Sequence, residues 1–420
     1  MQNLLDKFNN AIKNTNFLKL TESEQNLIKD IALSYRLSFQ EIKIIINIAN
    51  DIVIWDEGSI VNYIDKISNN IKNHKQERKI LLKALQKKYE NLQNRPNSYK
   101  NFNSKKTYHP KGIKTKTIEK ESLGIGSCPV ASEKTRCCNL LTLDAVESCG
   151  FDCSYCSIQS FYNQNQVIFD KNFKAKLQNI KLDPEKKYHI GTGQSSDSLM
   201  WGNKEGILEA LFDFASLNNN VILELKTKSN NIKYLLENDI PKNVIVTWSL
   251  NTPTIIEYEE HLSARLNERI SSAKKIANKG AKVGFHFHPI VQYENYLQDY
   301  KSIFNRLQDE FSPNEVAMIS FGTLTYIKPV LKQIRERNFK SKIYQMPLSE
   351  VEGKYSYPNK IKVEMFKTAY QSFSSWHKKV FFYLCMEPHT LWKECFGYEY
   401  NDNDDFEKDM INHYFKKVEL

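Results

Sequence analysis

The sequence predicts an all-helical N-terminal accessory domain followed by an α/β domain built on a parallel sheet. After residue 137, six short apolar runs alternate with helix-like spans, which is typical of strand–helix–strand units. In the first 95 residues, capping-box signatures precede apolar-periodic runs, which indicates helices. At 420 residues, the chain also exceeds what one hydrophobic core usually organises, so we expect more than one domain.

Residues 1–95 are predicted to be the helical accessory domain. Thr21 is followed by Glu24, and Ser38 by Glu41, in the spacing of a capping box. A longer amphipathic stretch then runs from Ile60 to Leu92. This part of the sequence contains no catalytic motif.

Residues 96–136 are predicted to be a basic linker. The net charge of the chain is +10, and between Lys87 and Lys120 ten Lys or Arg residues stand against two Glu residues, a local excess of +8. Aromatic residues are interleaved with this charge, as expected of a segment that binds phosphates and stacks on bases. They are Tyr89, Tyr99, Phe102 and Tyr108. A solvated basic linker without a ligand is the alternative.

The α/β part is predicted to have its functional residues at one edge of the sheet. The predicted strands are Leu140–Val146, Tyr188–Ile190, Val221–Leu225, Val244–Leu250, Val283–Phe287 and Val316–Phe321, and the spans predicted as helices include Gly206–Leu217, Leu262–Asn278 and Tyr293–Asp309. Polar residues follow successive strands, and ligands of parallel sheets bind at the carboxyl ends of the strands. These residues are Gly191–Asp197, Lys226–Lys228, Ser249 with Asn251, and His286 with His288.

Three cysteines, Cys149, Cys153 and Cys156, follow the first predicted strand at spacings that suit an iron–sulfur cluster. Such a cluster normally takes four thiolates, so three leave one iron open to an outside ligand. A zinc site is the alternative, because a two-residue gap is also typical of zinc ligands. Zinc would need a second pair of ligands, from Cys128, Cys137, Cys138, Cys385 and Cys395.

The cysteine triplet, with Tyr155 before its last member, resembles the radical S-adenosylmethionine (SAM) superfamily. The resemblance implies a partial (β/α)6 barrel and a [4Fe–4S] cluster on Cys149, Cys153 and Cys156. It also implies that SAM binds the open iron and is cleaved to a 5′-deoxyadenosyl radical, with an electron from a donor such as a flavodoxin or ferredoxin. The protein would orient the cofactors and exclude water.

The order of several motifs is similar to that of the spore photoproduct lyase family, which is of the DNA repair photolyase type. The matching blocks are Cys149–Gln159, Gly193–Asp197, Thr227–Lys228, Thr247–Asn251, Arg265–Pro289 and Phe382–Pro388 with Leu391–Trp392. They cover roughly residues 137–400. We therefore expect the barrel at residues 137–330 and a C-terminal, substrate-side extension at residues 331–420.

The resemblance implies a set of cofactor-binding residues. SAM contacts fall on Ser196, Lys228 and Ser249, while Gly191 and Gly193 allow the backbone to approach SAM; Asp197 and His288 complete the predicted cofactor site. Considered singly, the glycines are also typical turn formers, Ser249 a strand cap, Lys228 a surface charge and His288 a core histidine. Lys354–Tyr357 matches a basic, aromatic hairpin that the lyases use against DNA, and a surface loop is the alternative.

Two positions depart from the lyase pattern. Gln194 occupies the place of a hydrogen-donating cysteine, and Ser157 that of a tyrosine that helps to pass the radical along. The predicted catalytic residues are therefore Tyr155 and Cys385, with the pair Cys137 and Cys138 as further candidate donors. Simple packing is the alternative for these cysteines.

The predicted function is a radical SAM lyase that repairs a thymine-dimer lesion in nucleic acid, with DNA as the expected partner. One alternative is radical modification of RNA or another substrate, which Gln194 and Ser157 favour. Another is an iron–sulfur protein that binds nucleic acid without turnover. No apolar run of about eighteen residues and no signal-peptide pattern occurs, so we expect a cytoplasmic protein that does not enter a membrane.

Overall fold

The computed structural model describes residues 2–68, 76–102, 112–128, 134–157, 166–337, 339–351 and 353–420. They form two compact units. Unit 1 comprises Met1–Pro110, Gln292–Glu294 and Tyr326–Ser356, and unit 2 comprises Lys111–Val291, Asn295–Thr325 and Tyr357–Leu420. The division into four segments expected from the sequence stays a prediction. The predictions that involve Lys105, Lys106, Tyr108, Lys111 and Gln159 concern residues outside the described ranges.

Unit 1 is mainly helical. Its helices are α1 (Gln2–Ile12), α2 (Glu22–Ser34), α3 (Phe39–Ile54), α4 (Ile60–Ser68), α5 (Glu77–Asn94) and α12 (Lys328–Glu336). Both capping boxes are confirmed, since the Thr21 and Ser38 side chains accept from the N–H groups of Glu24 and Glu41 and both glutamates bond back. A small sheet of order β13-β15-β14 includes an antiparallel hairpin of β14 (Ser349–Val351) and β15 (Lys354–Ser356), and β13 is Thr325–Ile327.

The centre of unit 1 is the buried carboxylate of Asp51 on α3. Arg335 of α12 donates to both its oxygens at 2.7 and 2.8 Å, and the Tyr89 hydroxyl donates at 2.6 Å. The Tyr89 ring stacks on Trp55 with centroids 5.2 Å apart. Burial, and then the Asp51 charge, raise the pKa of Tyr89. The interaction joins helices that are far apart in the sequence.

The prediction that aromatic residues of the basic segment stack on bases is wrong for three of them. Tyr89 is held by Asp51 and Trp55. Tyr99 and Phe102 are 6% and 5% exposed and contact each other edge to face. Apolar burial in unit 1 therefore outweighs any role for these rings at the surface.

Unit 2 is built on an eight-stranded sheet. Its order is β16-β12-β11-β9-β8-β7-β3-β2, and all neighbours are parallel except β2 and β3. The strands are β2 (Gly124–Ser127), β3 (Leu141–Asp144), β7 (Tyr188–Thr192), β8 (Val221–Thr227), β9 (Val244–Ser249), β11 (Lys282–Ile290), β12 (Val316–Thr323) and β16 (Phe381–Leu384). The six predicted strands are confirmed, and β16 adds a seventh parallel one. The chain thus has the expected curled half-barrel sheet of a mixed α/β fold.

Helices and two small sheets complete unit 2. The helices are α6 (Phe173–Gln178), α7 (Ile207–Leu217), α8 (Lys233–Glu237), α9 (Pro253–Glu259), α10 (Leu266–Asn278), α11 (Tyr296–Glu310), α13 (Asn359–Ser372), α14 (Thr390–Phe396) and α15 (Asn403–Val418). One small sheet has the order β1-β6-β4 and the other pairs β5 with β10. Their strands are β1 (Lys114–Ile118), β4 (Val146–Glu147), β5 (Asp152–Cys153), β6 (Gln166–Asp170) and β10 (Glu260–His261). Within the described ranges, no helix is long and apolar enough to cross a lipid bilayer.

The two faces of β11 differ as its alternation predicts. Phe287 contacts Phe304 of α11 at 4.9 Å between centroids, so the phenylalanines face the helices. His286 lies on the other face, where its Nε2 is 2.7 Å from Glu224 Oε1 and its Nδ1 is 2.6 Å from Ser320 Oγ. A carboxylate can only accept, so Nε2 carries the proton and Ser320 donates to Nδ1. His286 is thus a satisfied core histidine.

A polar network around Glu224 fills this inner face. His189 Nε2 is 2.9 Å from Glu224 Oε2, and Thr247 donates to Oε1 at 2.7 Å. Burial lowers the pKa of His286 to about 4. Although burial opposes it, the two histidines hold the pKa of Glu224 well below its usual value. At neutral pH the network therefore contains a carboxylate and a neutral His286.

We predict that Arg335→Ala lowers the free energy of unfolding by about 2 kcal/mol, because it leaves the buried Asp51 carboxylate with fewer donors. Urea denaturation would measure the change. Lys332→Ala on the same helix is the control, because Lys332 is 69% exposed, and we expect it to change stability by less than about 0.5 kcal/mol. Equal midpoints for both variants would contradict a central role for the Asp51 interaction.

Candidate active site

The cysteine loop is fixed by a short antiparallel pairing with a distant segment. Cys153 on β5 pairs with Glu260 on β10, and the Ser154 N–H donates to the Glu259 carbonyl at 2.7 Å. The loop then turns back, since the Cys156 N–H donates to the Cys153 carbonyl at 3.2 Å. The backbone around two of the three thiols is therefore set by hydrogen bonds.

The three thiols lie in one another's electrostatic field. Burial, and then the charges of Asp197, Cys156 and Cys153, raise the pKa of Cys149. Among the described residues, no three His, Cys, Asp or Glu side chains are placed to share a single metal ion. The thiolates of a [4Fe–4S] cluster each bind a different iron, so they need not meet at one point. Three neighbouring soft sulfur donors fit such a cluster.

The buried carboxylate of Glu260 organises the side chains beside this loop. It accepts from Arg269 Nη2 at 2.6 Å and from Asn251 Nδ2 at 3.3 Å, and the Tyr155 hydroxyl also donates to it. Lys228 Nζ lies 2.8 Å from the Tyr155 oxygen and 3.4 Å from Glu260. The predicted residues Tyr155 and Lys228 are thus brought together by a glutamate that was not among the predicted site residues.

Two cations, Arg269 and Lys228, surround the single carboxylate of Glu260 in this network. Burial would raise the pKa of Glu260, but Arg269, Lys228 and the Tyr155 hydroxyl hold it at about 2. Burial, and then the Glu260 charge, raise the pKa of Tyr155, so its phenol stays protonated at neutral pH. Arg269, with a side chain that is 0% exposed, also donates to the Ser249 carbonyl at 2.8 Å. The network connects the cysteine loop to the ends of β8 and β9.

The loop after β7 is shaped by Gly193. Its φ is +88°, and a Cβ there would lie 2.6 Å from the Lys226 carbonyl oxygen. Any other residue would be strained by the left-handed backbone conformation, and its Cβ would clash with this carbonyl oxygen. Gly191 is less restricted, with a Cβ position 3.1 Å from the Leu140 side chain.

Asp197 holds this loop against the end of β8. Its carboxylate accepts from the N–H of Lys228 at 2.6 Å, from the Thr227 hydroxyl at 2.7 Å, and from two N–H groups of its own loop. The oxygens of the Asp197 carboxylate therefore already accept hydrogen bonds from the protein. The side chain acts by fixing the position of the Lys228 backbone.

Two side chains in the same loop have buried polar atoms that are suited to bind a ligand. Ser196 Oγ and Gln194 Oε1 are buried, and neither has a hydrogen-bond partner among the described residues. Unpaired buried polar atoms are costly unless a ligand or water pairs them. The predicted SAM contact at Ser196 is consistent with this observation.

The remaining predicted residues lie at the ends of other strands. Ser249 is 4% exposed at the end of β9. His288, near the end of β11, fills the space beside Gly322, where a Cβ would lie 2.5 Å from its ring. Burial, and then the nearby Lys226 charge, lower the pKa of His288, which is thus neutral at physiological pH. Cys385 follows β16, and its N–H donates to the Phe321 carbonyl at 2.8 Å.

Glu260, Arg269 and Glu224 were not predicted from the sequence. Glu260 ends the run Glu257-Tyr258-Glu259-Glu260, which is typical of an exposed helix end. Arg269 sits in an amphipathic helix pattern that gives no reason to expect its burial. A carboxylate within the apolar run of β8 was the one available signal, because an unexplained charge in a buried strand points to a polar interior.

The chain is similar to known proteins. The sequence profile of the family described as spore photoproduct lyase matches residues 133–375. The relatives include spore photoproduct lyases of Clostridium acetobutylicum, 27% identical over 41% of this chain and 53% of the relative, and of a Geobacillus species, 22% identical over 50% and 62%. The chain thus spans about half the length of the curated relatives it matches.

Solved structures give the same fold. A spore photoproduct lyase mutant with bound AdoMet and dinucleoside spore photoproduct aligns with a TM-score of 0.54 and 18% identity, over 64% of this chain and 81% of the other. A spore photoproduct lyase complexed with dinucleoside spore photoproduct aligns with a TM-score of 0.55 and 17% identity over the same shares. The profile match, which covers more than half of the 420 residues, shows that the chain belongs to the spore photoproduct lyase family.

Proposed function

We propose that this protein is a radical SAM lyase that acts on a damaged base in nucleic acid. The observation that carries the proposal is the three-thiol loop held by Glu260 beside Lys228. Family membership and the names of the relatives support the lyase activity. The carboxyl ends of the parallel strands are where ligands of such sheets bind.

Cys149, Cys153 and Cys156 would hold a [4Fe–4S] cluster. When bound together with SAM and reduced, the cluster supplies the electron that releases methionine and a 5′-deoxyadenosyl radical from SAM. Ser196 would bind SAM through its buried hydroxyl, which has no hydrogen-bond partner among the described residues. Lys228 offers a positive charge that suits a carboxylate, Ser249 is a further contact, and Gly191 and Gly193 keep the loop backbone open to the ligand.

Several side chains act by placing others. Asp197 fixes the backbone of Lys228. Tyr155 would act as a bridge between Lys228 and Glu260 rather than as a group that moves a proton, because its phenol stays protonated. His288 would present a neutral ring to the adenosine or to the base. The site would therefore orient the cofactor through fixed dipoles and charges.

The substrate is proposed to be the thymine-dimer lesion called spore photoproduct, in DNA. The names of the relatives and the dinucleoside lesion bound in the aligned structures support this substrate. A lesion in a duplex would leave the base stack to enter the half-barrel, at lowest cost where pairing is already disturbed. Cys385 is the proposed hydrogen donor, since Gln194 carries no thiol. An electron donor of the flavodoxin or ferredoxin type completes the proposal.

A second candidate function is radical modification of RNA or another substrate. Gln194 and Ser157 favour it, because neither can perform the radical chemistry of a cysteine or tyrosine.

Incubation with dinucleoside spore photoproduct, SAM and dithionite without oxygen tests the proposed substrate. We expect the lesion to be converted to the undamaged thymine dinucleotide, with chromatography as the measurement. Release of 5′-deoxyadenosine with an unchanged lesion would instead favour the second candidate.

The cluster ligands give a prediction of their own. After anaerobic reconstitution we expect about four irons per chain in the wild type, and less than about one in Cys153→Ser, because a hydroxyl is a poor ligand for a cluster iron. Iron and sulfide analysis would measure this. Cys395→Ser is the control, because Cys395 is buried on α14 and should leave the iron content unchanged. Full iron in both variants would refute the ligand assignment.

Lys228→Met is expected to weaken SAM binding by roughly 10- to 100-fold, which corresponds to the loss of one charge-assisted hydrogen bond. Equilibrium dialysis of the reconstituted protein would measure the affinity. Glu260 keeps Arg269 in this variant, so the fold should persist. Lys233→Met is the matched control, because Lys233 is 79% exposed. An affinity equal to that of the wild type would remove Lys228 from the SAM site.

A further inference from the structure

A tryptophan packs against the cysteine loop at Gly150, the residue that follows Cys149. A Cβ at Gly150 would lie 3.0 Å from Trp201 Cζ2 and 2.3 Å from Met200 Cε. Gly150 is itself buried, so these two side chains cover the loop next to its first predicted cluster ligand. A larger residue at position 150 would push the indole ring away from the loop.

The indole nitrogen of Trp201 is a buried donor. Its Nε1 atom has no hydrogen-bond partner among the described residues. An indole N–H can only donate, and buried donors in folded proteins nearly always have an acceptor from the protein, from water or from a ligand. The N–H of Trp201 therefore points to an acceptor that the described residues do not supply.

The position of Trp201 is fixed from several sides. Asp197 accepts from the N–H of the preceding residue, Met200, at 2.9 Å, and the Asn231 side chain donates to the Met200 carbonyl at 3.3 Å. The Trp201 ring also contacts Phe169 edge to face, with the ring centroids 5.7 Å apart. The ring is thus held against the cysteine loop by both its backbone and its neighbours.

We propose that the Trp201 indole donates a hydrogen bond to a sulfur atom of the [4Fe–4S] cluster, at the corner bound by Cys149. The inference rests on the proposed function, because it needs the cluster that the three cysteines of the loop would hold. Hydrogen bonds to the sulfur atoms are among the factors that set the reduction potential of a cluster. Trp201 would thus tune the cluster without being one of its ligands.

This hydrogen bond would favour the reduced cluster. Reduction adds one negative charge, and an N–H dipole directed at a sulfur stabilises that charge. Loss of the N–H alone therefore lowers the reduction potential. Loss of a cover that only excludes water would raise the potential, because entering water also stabilises the added charge. The sign of the change thus distinguishes a hydrogen bond from simple shielding of the loop.

Trp201→Phe tests the hydrogen bond, because it removes the N–H and keeps an aromatic ring. The full-length protein is reconstituted without oxygen or SAM and titrated with a low-potential reductant, and electron paramagnetic resonance measures the reduced cluster. We expect the equilibrium constant for reduction to fall roughly three- to tenfold, which corresponds to about 30–60 mV for one electron. An unchanged or raised potential overturns the proposal.

Trp392→Phe is the matched control. The Trp392 Nε1 is also buried without a partner among the described residues, but its ring packs against Tyr400 and Phe406. The same loss of a buried indole should therefore leave the reduction potential at the wild-type value. An equal fall in both variants would mean that the effect is not specific to Trp201, and it also overturns the proposal.

A measurement on the unmutated chain tests the same contact if Trp201→Phe does not fold. With nitrogen-15 in every indole ring, pulsed electron paramagnetic resonance of the reduced cluster should detect one indole nitrogen coupled to the cluster spin. The coupling should persist in Trp392→Phe. A reduced cluster without any nitrogen-15 coupling overturns the proposal.

The results also separate this inference from the proposed function. A wild-type chain that takes up no iron refutes the cluster, and the proposed function fails with it. A chain that binds about four irons but shows no nitrogen-15 coupling overturns the hydrogen bond alone. If the coupling is present and the lesion is not converted, the hydrogen bond stands and the proposed substrate fails.

Discussion

The buried carboxylate of Glu260 is the interaction on which the arrangement of the site depends. It carries a full negative charge with a side chain that is 1% exposed, which is tolerated only because Arg269, Lys228, Tyr155 and Asn251 surround it. These partners come from the cysteine loop, the ends of β8 and β9, and α10. The cysteine loop therefore takes its shape only when the later strands and α10 are in place.

A second buried carboxylate, Glu224, lies at the centre of a polar network on the inner face of the sheet. Its two oxygens are bonded by His189, His286 and Thr247, so the carboxylate is held in place by side chains of three other strands. Such a fixed set of dipoles suits a site in which reactive intermediates need shielding from water and stray protons. The helix-facing side is by contrast filled with phenylalanines, and this division follows from the alternation along β11.

The sheet and the cysteine loop could be predicted because short apolar runs and a specific thiol spacing are local signals. Gly193 was also predictable, since a polar loop directly after a buried strand calls for a residue that tolerates positive φ. Glu260 and Arg269 were not, because a charged residue in a charged stretch gives no sign of burial until a distant strand pairs with it. The rings of the basic segment were misjudged for the opposite reason. The sequence shows only that Tyr89 is aromatic and follows two lysines, whereas its position is decided by Asp51 on α3 and by Trp55 at the end of that helix.

The pairing of Asp51 with Arg335 has a consequence for how the chain is made. The two residues are 284 positions apart, and ribosomes add about 5–20 residues per second, so the carboxylate waits on the order of half a minute for its cation. During that interval the first helices have left the ribosome without the partner that completes them. Newly synthesised chains are therefore expected to bind chaperones. Chains that terminate before Arg335 are expected to be degraded by proteases.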